Sequence, residues 1–146
     1  QLVAACDLAV AADDSRFATS GINVGLFCST PSVPVSRNLG RKQAMELLLT
    51  GHFIDAHTAL QWGLVNRVVP ASRLDQEVAE LAGSIMSKSW VAVATGKRMF
   101  YKQLELPLES AYDYASGVMA GNMMADDVEE GVDAFMQKRT PVWKHQ

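Results

Sequence analysis

Several side chains along this 146-residue chain have the types and spacing to do chemistry. His52, Asp55 and His57 carry the donor atoms of a metal site. Their spacings of three and two do not put all three on one helix face, so no metal centre is expected. Cys28, followed by Ser29 and Thr30, offers a sulfur nucleophile. A reactive thiol needs a lowered pKa, and no histidine lies near Cys28 in sequence, so it reads as a buried structural cysteine. The carboxylates Asp7, Asp13 and Asp14 fall at caps and turns, where solvated or capping roles are the rule. Near the end of the chain, Phe135 reads as a helix packing residue, and Lys138-Arg139 as a basic pair complementing a helix C-terminus. His145 sits close to the terminus and reads as solvated.

The elements that must position these groups follow from apolar spacing. Leu2-Val3-Ala4-Ala5 is apolar with no capping residue ahead of it, so the chain reads as opening inside a helix and as a fragment of something longer. Leu8 to Ala12 is an uninterrupted apolar run, predicted to be a strand covered on both faces. Asp13-Asp14-Ser15 is a turn, and Arg16 to Thr19 a second short strand. Ser20 to Ser36 holds Gly21, Gly25, Pro31 and Pro34, which predicts a loop without long regular structure. From Arg41 a helix is expected with Ala44, Met45, Leu47, Leu48 and Leu49 on its core face, ended by Thr50-Gly51. Asp55 caps a short helix through Trp62, closed by Gly63. Leu64 to Val69 is strand-like, stopped by Pro70. Three long amphipathic helices follow: one carrying Leu74, Val78, Leu81, Ile85 and Met86, one from Trp90 to Lys102, and one carrying Leu108, Ala111, Tyr112, Val118, Met119 and Met123. A last helix starts near Asp126-Asp127, with Glu129 and Glu130 favouring its N-terminus, and Pro141 ends it.

Composition bounds the function classes. With 49% hydrophobic and 20% charged residues the chain is globular. A net charge of −3 argues against nucleic-acid binding, which depends on a Lys/Arg excess. No apolar run reaches spanning length, so no membrane helix is expected, and no signal-peptide pattern is present. Cys6 and Cys28 have no metal or redox spacing and read as free thiols in a reducing compartment. Seven methionines suit adaptable helix–helix or subunit contacts.

The ordered series Thr50-Gly51, Ile54, Ala56, Ala59, Gly63-Leu64-Val65 and Val68-Val69-Pro70 resembles the crotonase superfamily, the enoyl-CoA hydratase/isomerase family. The Leu2–Ala12 segment and the tail Glu130-Gly131, Ala134-Phe135, Lys138-Arg139 and Pro141 are similar to the family as well, so the likeness runs over nearly the whole chain. It implies an α/β fold, a ββα spiral followed by trimer-forming helices. Residues 1–70 would be the end of the spiral core and residues 71–146 the helical oligomerisation region. It implies acyl-CoA thioesters as partners, a homotrimer or a dimer of trimers, and no cofactor beyond the coenzyme A of the substrate itself. The compartment expected is the cytoplasm or, in a eukaryote, the mitochondrial matrix. The resemblance covers the C-terminal part of a family chain. An N-terminal half would supply most of the spiral, the adenine-binding loop and the two oxyanion-hole amides, which are usually the largest catalytic term.

The resemblance also implies where the acids of hydration belong. One falls at Gln1 and the other at Gly21, twenty residues apart (21 − 1) as in the family. Glutamine can hydrogen-bond a water but cannot take its proton, and glycine offers no side chain. Asn23, Gly25 and Cys28 fall in the loop that lines the acyl pocket in the family. The Phe135 and Lys138 positions reach the nucleotide end of CoA, an aromatic face against the base and an ammonium against phosphate. Three readings therefore stand side by side. One is an acyl-CoA binder with doubtful hydratase activity. Another is a crotonase-type thioesterase or isomerase using upstream residues. The third is a non-catalytic oligomerisation module.

Overall fold

The computed structural model describes residues 1–144; His145 lies outside the described residues. The chain divides into two compact units, Gln1–Glu80 and Leu81–Gln146.

The first unit opens with helix α1 (Leu2–Ala5), then strands β1 (Val10–Ala12) and β2 (Arg16–Phe17). β1 pairs in parallel with β4 (Arg67–Val69), register Val10 with Arg67 and Ala12 with Val69. Both strands are shorter than their apolar runs predicted. The pairing is nonetheless extended at each end, by two bonds at one and by one at the other. Ala9 N–H donates to Asn66 Oδ1 at 2.8 Å, Asn66 N–H returns to Ala9 O at 2.8 Å, and Asp13 N–H donates to Val69 O at 2.8 Å. β2 pairs antiparallel with β3 (Ile54–Asp55).

Between β2 and β3 the structure departs from the loop expected over 20–36. Ser20–Val24 is a 3₁₀ turn, and Ser29–Asn38 is helix α2 with both prolines inside it. Pro31 sits in the first turn, where an N–H has no intrahelical partner to lose. Pro34 removes one bond, and the helix persists because tertiary contacts override propensity. Val35 and Leu39 enter the core, and Asn38 Nδ2 donates to both Pro34 O and Ala4 O at 2.8 Å, tying α2 to α1.

Helix α3 (Arg41–Thr50) ends at Gly51, whose φ of 62° is left-handed. Its core face is narrower than expected. Ala44, Leu47 and Leu48 are buried, whereas Met45 and Leu49 are exposed. Helix α4 (Ala56–Trp62) matches expectation, with Asp55 accepting from Thr58 N–H at 2.7 Å and Gly63 closing it at φ 85°. The core gathers Ala4, Ala11, Val35, Leu39, Ala44, Leu47, Ala56, Ala59, Leu64 and Val65.

A 3₁₀ turn (Ala71–Arg73) leads into α5 (Leu74–Met86), and the division between units falls within it. The second unit continues with α6 (Trp90–Gln103), α7 (Leu108–Asn122) and α8 (Asp126–Met136). The helices form where the apolar periodicity placed them, with Pro107 one position ahead of α7 as its N-cap. Their stripes, however, stay open: Met86, Leu108, Tyr112, Met119 and Met123 are exposed. No helix among the described residues is long and apolar enough to cross a membrane.

Candidate functional site

Gln1 is exposed at the start of α1, where its backbone carbonyl accepts from Ala5 N–H at 3.0 Å. Its side chain makes no capping bond, and the residue lies on the wall of a cavity of about 260 Å³. Phe17, Thr19, Leu47 and Phe53 share that wall, while Gly21 does not line it. Thr19 is fixed by its hydroxyl bond to Leu47 O at 2.8 Å, and Arg16 lies over the Phe53 ring at 4.8 Å.

Gly21 lies half-buried inside the 3₁₀ turn, and its carbonyl accepts from Leu26 N–H at 3.0 Å. A Cβ at this position would stand 2.7 Å from Leu26 O and 2.8 Å from Cys28 Sγ. One obstacle is backbone, so no larger residue enters without moving the turn. Glycine here is a packing requirement as well as a missing acid.

The other loop residues have structural work. Gly25 closes the 3₁₀ turn at φ 81°, a left-handed conformation that suits glycine. Asn23 is exposed, and its amide nitrogen donates to Gly51 O at 3.4 Å, pinning the turn to the end of α3. Cys28 is a half-buried free thiol at the N-cap of α2 rather than a fully buried one, and its sulfur fills the space beside Gly21. The Gly21–Cys28 packing had no signal in the sequence, because the two residues meet only through the turn geometry.

No group of three His, Cys, Asp or Glu among the described residues could hold a metal. Asp55 is committed to capping α4, and the Thr58 N–H holds its carboxyl below the usual carboxylate range.

In the second unit the tail turns on a helix end. Phe135 is 81% exposed, which overturns its reading as a packing residue. α8 stops at Met136, so Lys138-Arg139 lie past its last turn rather than in it. Lys138 takes φ 54°, the left-handed position of a Schellman end that glycine usually holds. Lys138 N–H reaches Phe135 O at 3.2 Å and Arg139 N–H reaches Ala134 O at 3.0 Å. Arg139 clamps Glu130 through two bonds, 2.6 and 2.9 Å, instead of answering the helix dipole. Val142 N–H adds a third bond to Glu130 at 2.7 Å. These partners, Arg139 first, draw the Glu130 carboxyl down to about 2. Lys138 is left exposed beside the exposed Phe135. An exposed aromatic face with an ammonium three residues on is an arrangement able to meet a base and a phosphate.

Sequence reading also passed over a buried polar pair. Ser89 caps α6, accepting from Ala92 N–H at 3.2 Å, and its hydroxyl donates to Asp127 Oδ2 at 2.5 Å. Asp127 is 3% exposed and also accepts from Lys144 N–H at 2.7 Å. A serine directly before an apolar helical run was the available signal for the cap.

Comparison with known proteins agrees with this fold. The enoyl-CoA hydratase/isomerase family profile matches residues 1–146. The chain is 52% identical over 145 residues to the Rattus norvegicus protein named enoyl-CoA hydratase domain-containing protein 3, mitochondrial, covering 99% of this chain and 48% of that protein. The chain thus spans about half the length of the curated relatives it matches. A solved enoyl-CoA hydratase from Mycobacterium smegmatis superposes with a TM-score of 0.95 at 56% identity, over 97% of this chain and 55% of that one. The crystal structure of human enoyl-CoA hydratase domain-containing protein 3 superposes with a TM-score of 0.93 at 51% identity, over 97% and 56%. With a crotonase fold over its length and the family pattern at its turns and tail, the chain belongs to the enoyl-CoA hydratase/isomerase family.

Proposed function

We propose that this protein binds acyl-CoA thioesters and hydrates enoyl-CoA poorly or not at all. The observation that carries the second half is the packing around Gly21. The position where the family resemblance puts one acid is a glycine whose Cβ space is taken by Leu26 O and Cys28 Sγ. The other acid position is Gln1, which can hold a water but cannot accept its proton. Support for CoA binding comes from family membership and from the exposed Phe135 and Lys138 at the end of α8, where base and phosphate of the nucleotide would meet. In this reading Asn23, Gly25 and Cys28 shape the acyl pocket. The oxyanion donors come from sequence that the longer relatives carry upstream.

The test pairs calorimetry with turnover. CoA is expected to bind, and Lys138→Glu to weaken it about tenfold, ~1.4 kcal/mol. In the full-length protein, crotonyl-CoA hydration is expected to be weak or absent and to rise with Gln1→Glu. Robust wild-type hydration overturns the reading. Thioester hydrolysis or double-bond isomerisation in its place selects another crotonase-type activity.

A second reading has its own observation. Met86, Leu108, Tyr112 and Met119 stand exposed on the helices, which favours assembly into a homotrimer or a dimer of trimers. A monomer by light scattering at micromolar concentration contradicts it. A purely non-catalytic assembly module is selected if the oligomer forms and CoA does not bind. The free thiols of Cys6 and Cys28 suit a reducing compartment, the cytoplasm or, in a eukaryote, the mitochondrial matrix, and the named relatives are called mitochondrial.

A further inference from the structure

We propose that Glu130 is a positioning residue for CoA binding: by clamping Arg139 and the 140–144 strap behind it, Glu130 holds the left-handed turn that presents the Lys138 ammonium to a phosphate. The inference rests on the CoA contact proposed above and adds the group that builds it.

The starting point is a backbone outlier. Lys138, at φ 54°, is the one non-glycine residue among those described with a positive φ. A helix that had only to stop would carry glycine there, because the conformation disfavours an L side chain. A side chain kept in such a place points to a use for it, provided that its surroundings fix the turn. Here they do. Arg139 Nε donates to Gln137 Oε1 at 2.8 Å, so the two neighbours of Lys138 are joined across it. The same guanidinium gives Glu130 its two bonds, at 2.6 and 2.9 Å, and ties the turn back onto α8. Glu130 Oε1 also accepts from Val142 N–H at 2.7 Å. Beyond that point the strap is held by Trp143 Nε1 on Ser87 O at 2.8 Å and by Lys144 N–H on Asp127 Oδ1 at 2.7 Å. The Trp143 ring lies against Gly131, where a Cβ would stand 3.4 Å from it. Gln137 and Arg139 thus use their polar ends on the lock, while the Lys138 side chain between them is exposed. Glu130 is the hub of the lock, since Arg139 and Val142 both lose a partner without it. A phosphate then meets a cation whose backbone is fixed in advance, which lowers the ordering cost of binding.

The experiment is calorimetry with CoA on the wild type and on Glu130→Ala. Charge alone predicts tighter binding by the variant, because an anion has been removed near a polyanionic ligand. Positioning predicts the opposite sign, a loss of about fivefold. In a Lys138→Gln background the same substitution is expected to add nothing, because the ammonium that it positions is gone. Arg139→Lys keeps the charge and loses the two-pronged clamp, so it is expected to weaken CoA in the same way. That variant carries the test if Glu130→Ala does not fold. Unchanged or tighter CoA binding in the variant overturns the proposal alone, as does an equal loss in the Lys138→Gln background. A wild type that binds no CoA overturns the underlying reading as well.

Discussion

The two units bury their apolar residues very differently. The first closes ten apolar side chains, from Ala4 to Val65, into a single cluster, with partly buried neighbours such as Phe17 and Ile54 packed against it. In the second, Ala111 and Ala134 are the buried hydrophobic residues among those described, and the remaining fully buried positions are the polar pair Ser89 and Asp127. Met119 on α7, at 69% exposure, and Phe135 on α8, at 81%, belong to this same unit. Burial of apolar surface is the dominant favourable term in folding, so the first unit carries its own stabilisation. The second presents helix faces whose apolar content exceeds what they cover. That contrast places the exposed Phe135 and Lys138 on the unit with more open surface.

The sharpest way to break the contrast is by truncating one side chain in each unit. Leu47→Ala should cost about 2–5 kcal/mol in chemical denaturation, since it empties the middle of the cluster. Met119→Ala should stay within about 0.5 kcal/mol in the monomer. Comparable losses would mean that the second unit's helices are covered in solution.

A smaller effect is expected at the end of α8. Lys138 holds a left-handed backbone, φ 54°, that costs an L side chain about 1–2 kcal/mol. Lys138→Gly should therefore stabilise the protein by about 1 kcal/mol while weakening CoA binding. Gain in stability with unchanged CoA affinity would remove Lys138 from the proposed contact and leave its conformation unexplained by function.

The smallest effect is electrostatic. Glu130 is lowered from its ordinary 4.5 to about 2, first by Arg139 and then by Val142 N–H. A carboxyl depressed on folding contributes stability that is whole above its unfolded value and lost as pH falls through its folded one. The tail of the second unit should loosen between about pH 4.5 and 2, visible in Trp143 fluorescence, and Glu130→Gln should flatten that part of the profile. An unchanged profile in the variant would show that the Arg139 clamp does not hold the tail in solution.

Much of this architecture could be read from residues alone. Asp55 and Gly63 bracket α4 because a carboxylate cap and a left-handed glycine act through their immediate neighbours. The four long helices after Pro70 follow from apolar spacing that needs no partner to be recognised. The parallel β1–β4 pair joins runs both visible as strands, although their ends were trimmed to three residues each. The family was legible too, because its turns and tail are short ordered patterns.

Tertiary structure alone decided the rest. α2 forms across Pro31 and Pro34 because Val35, Leu39 and the Asn38 amide find partners elsewhere in the chain, which outweighs a local preference against helix. Met45, Leu49 and Phe135 have the right spacing for a core and yet lie outside it, because spacing gives a face and only packing says whether anything covers it. Gly21 shows the same limit at the site. Its identity revealed a missing acid, but that the space is occupied by Leu26 O and Cys28 Sγ depends on how the turn folds back on itself. Caps, periodicity and family pattern are short-range properties of a sequence. Burial and the Arg139–Glu130 clamp are set by which distant atoms the fold brings within reach.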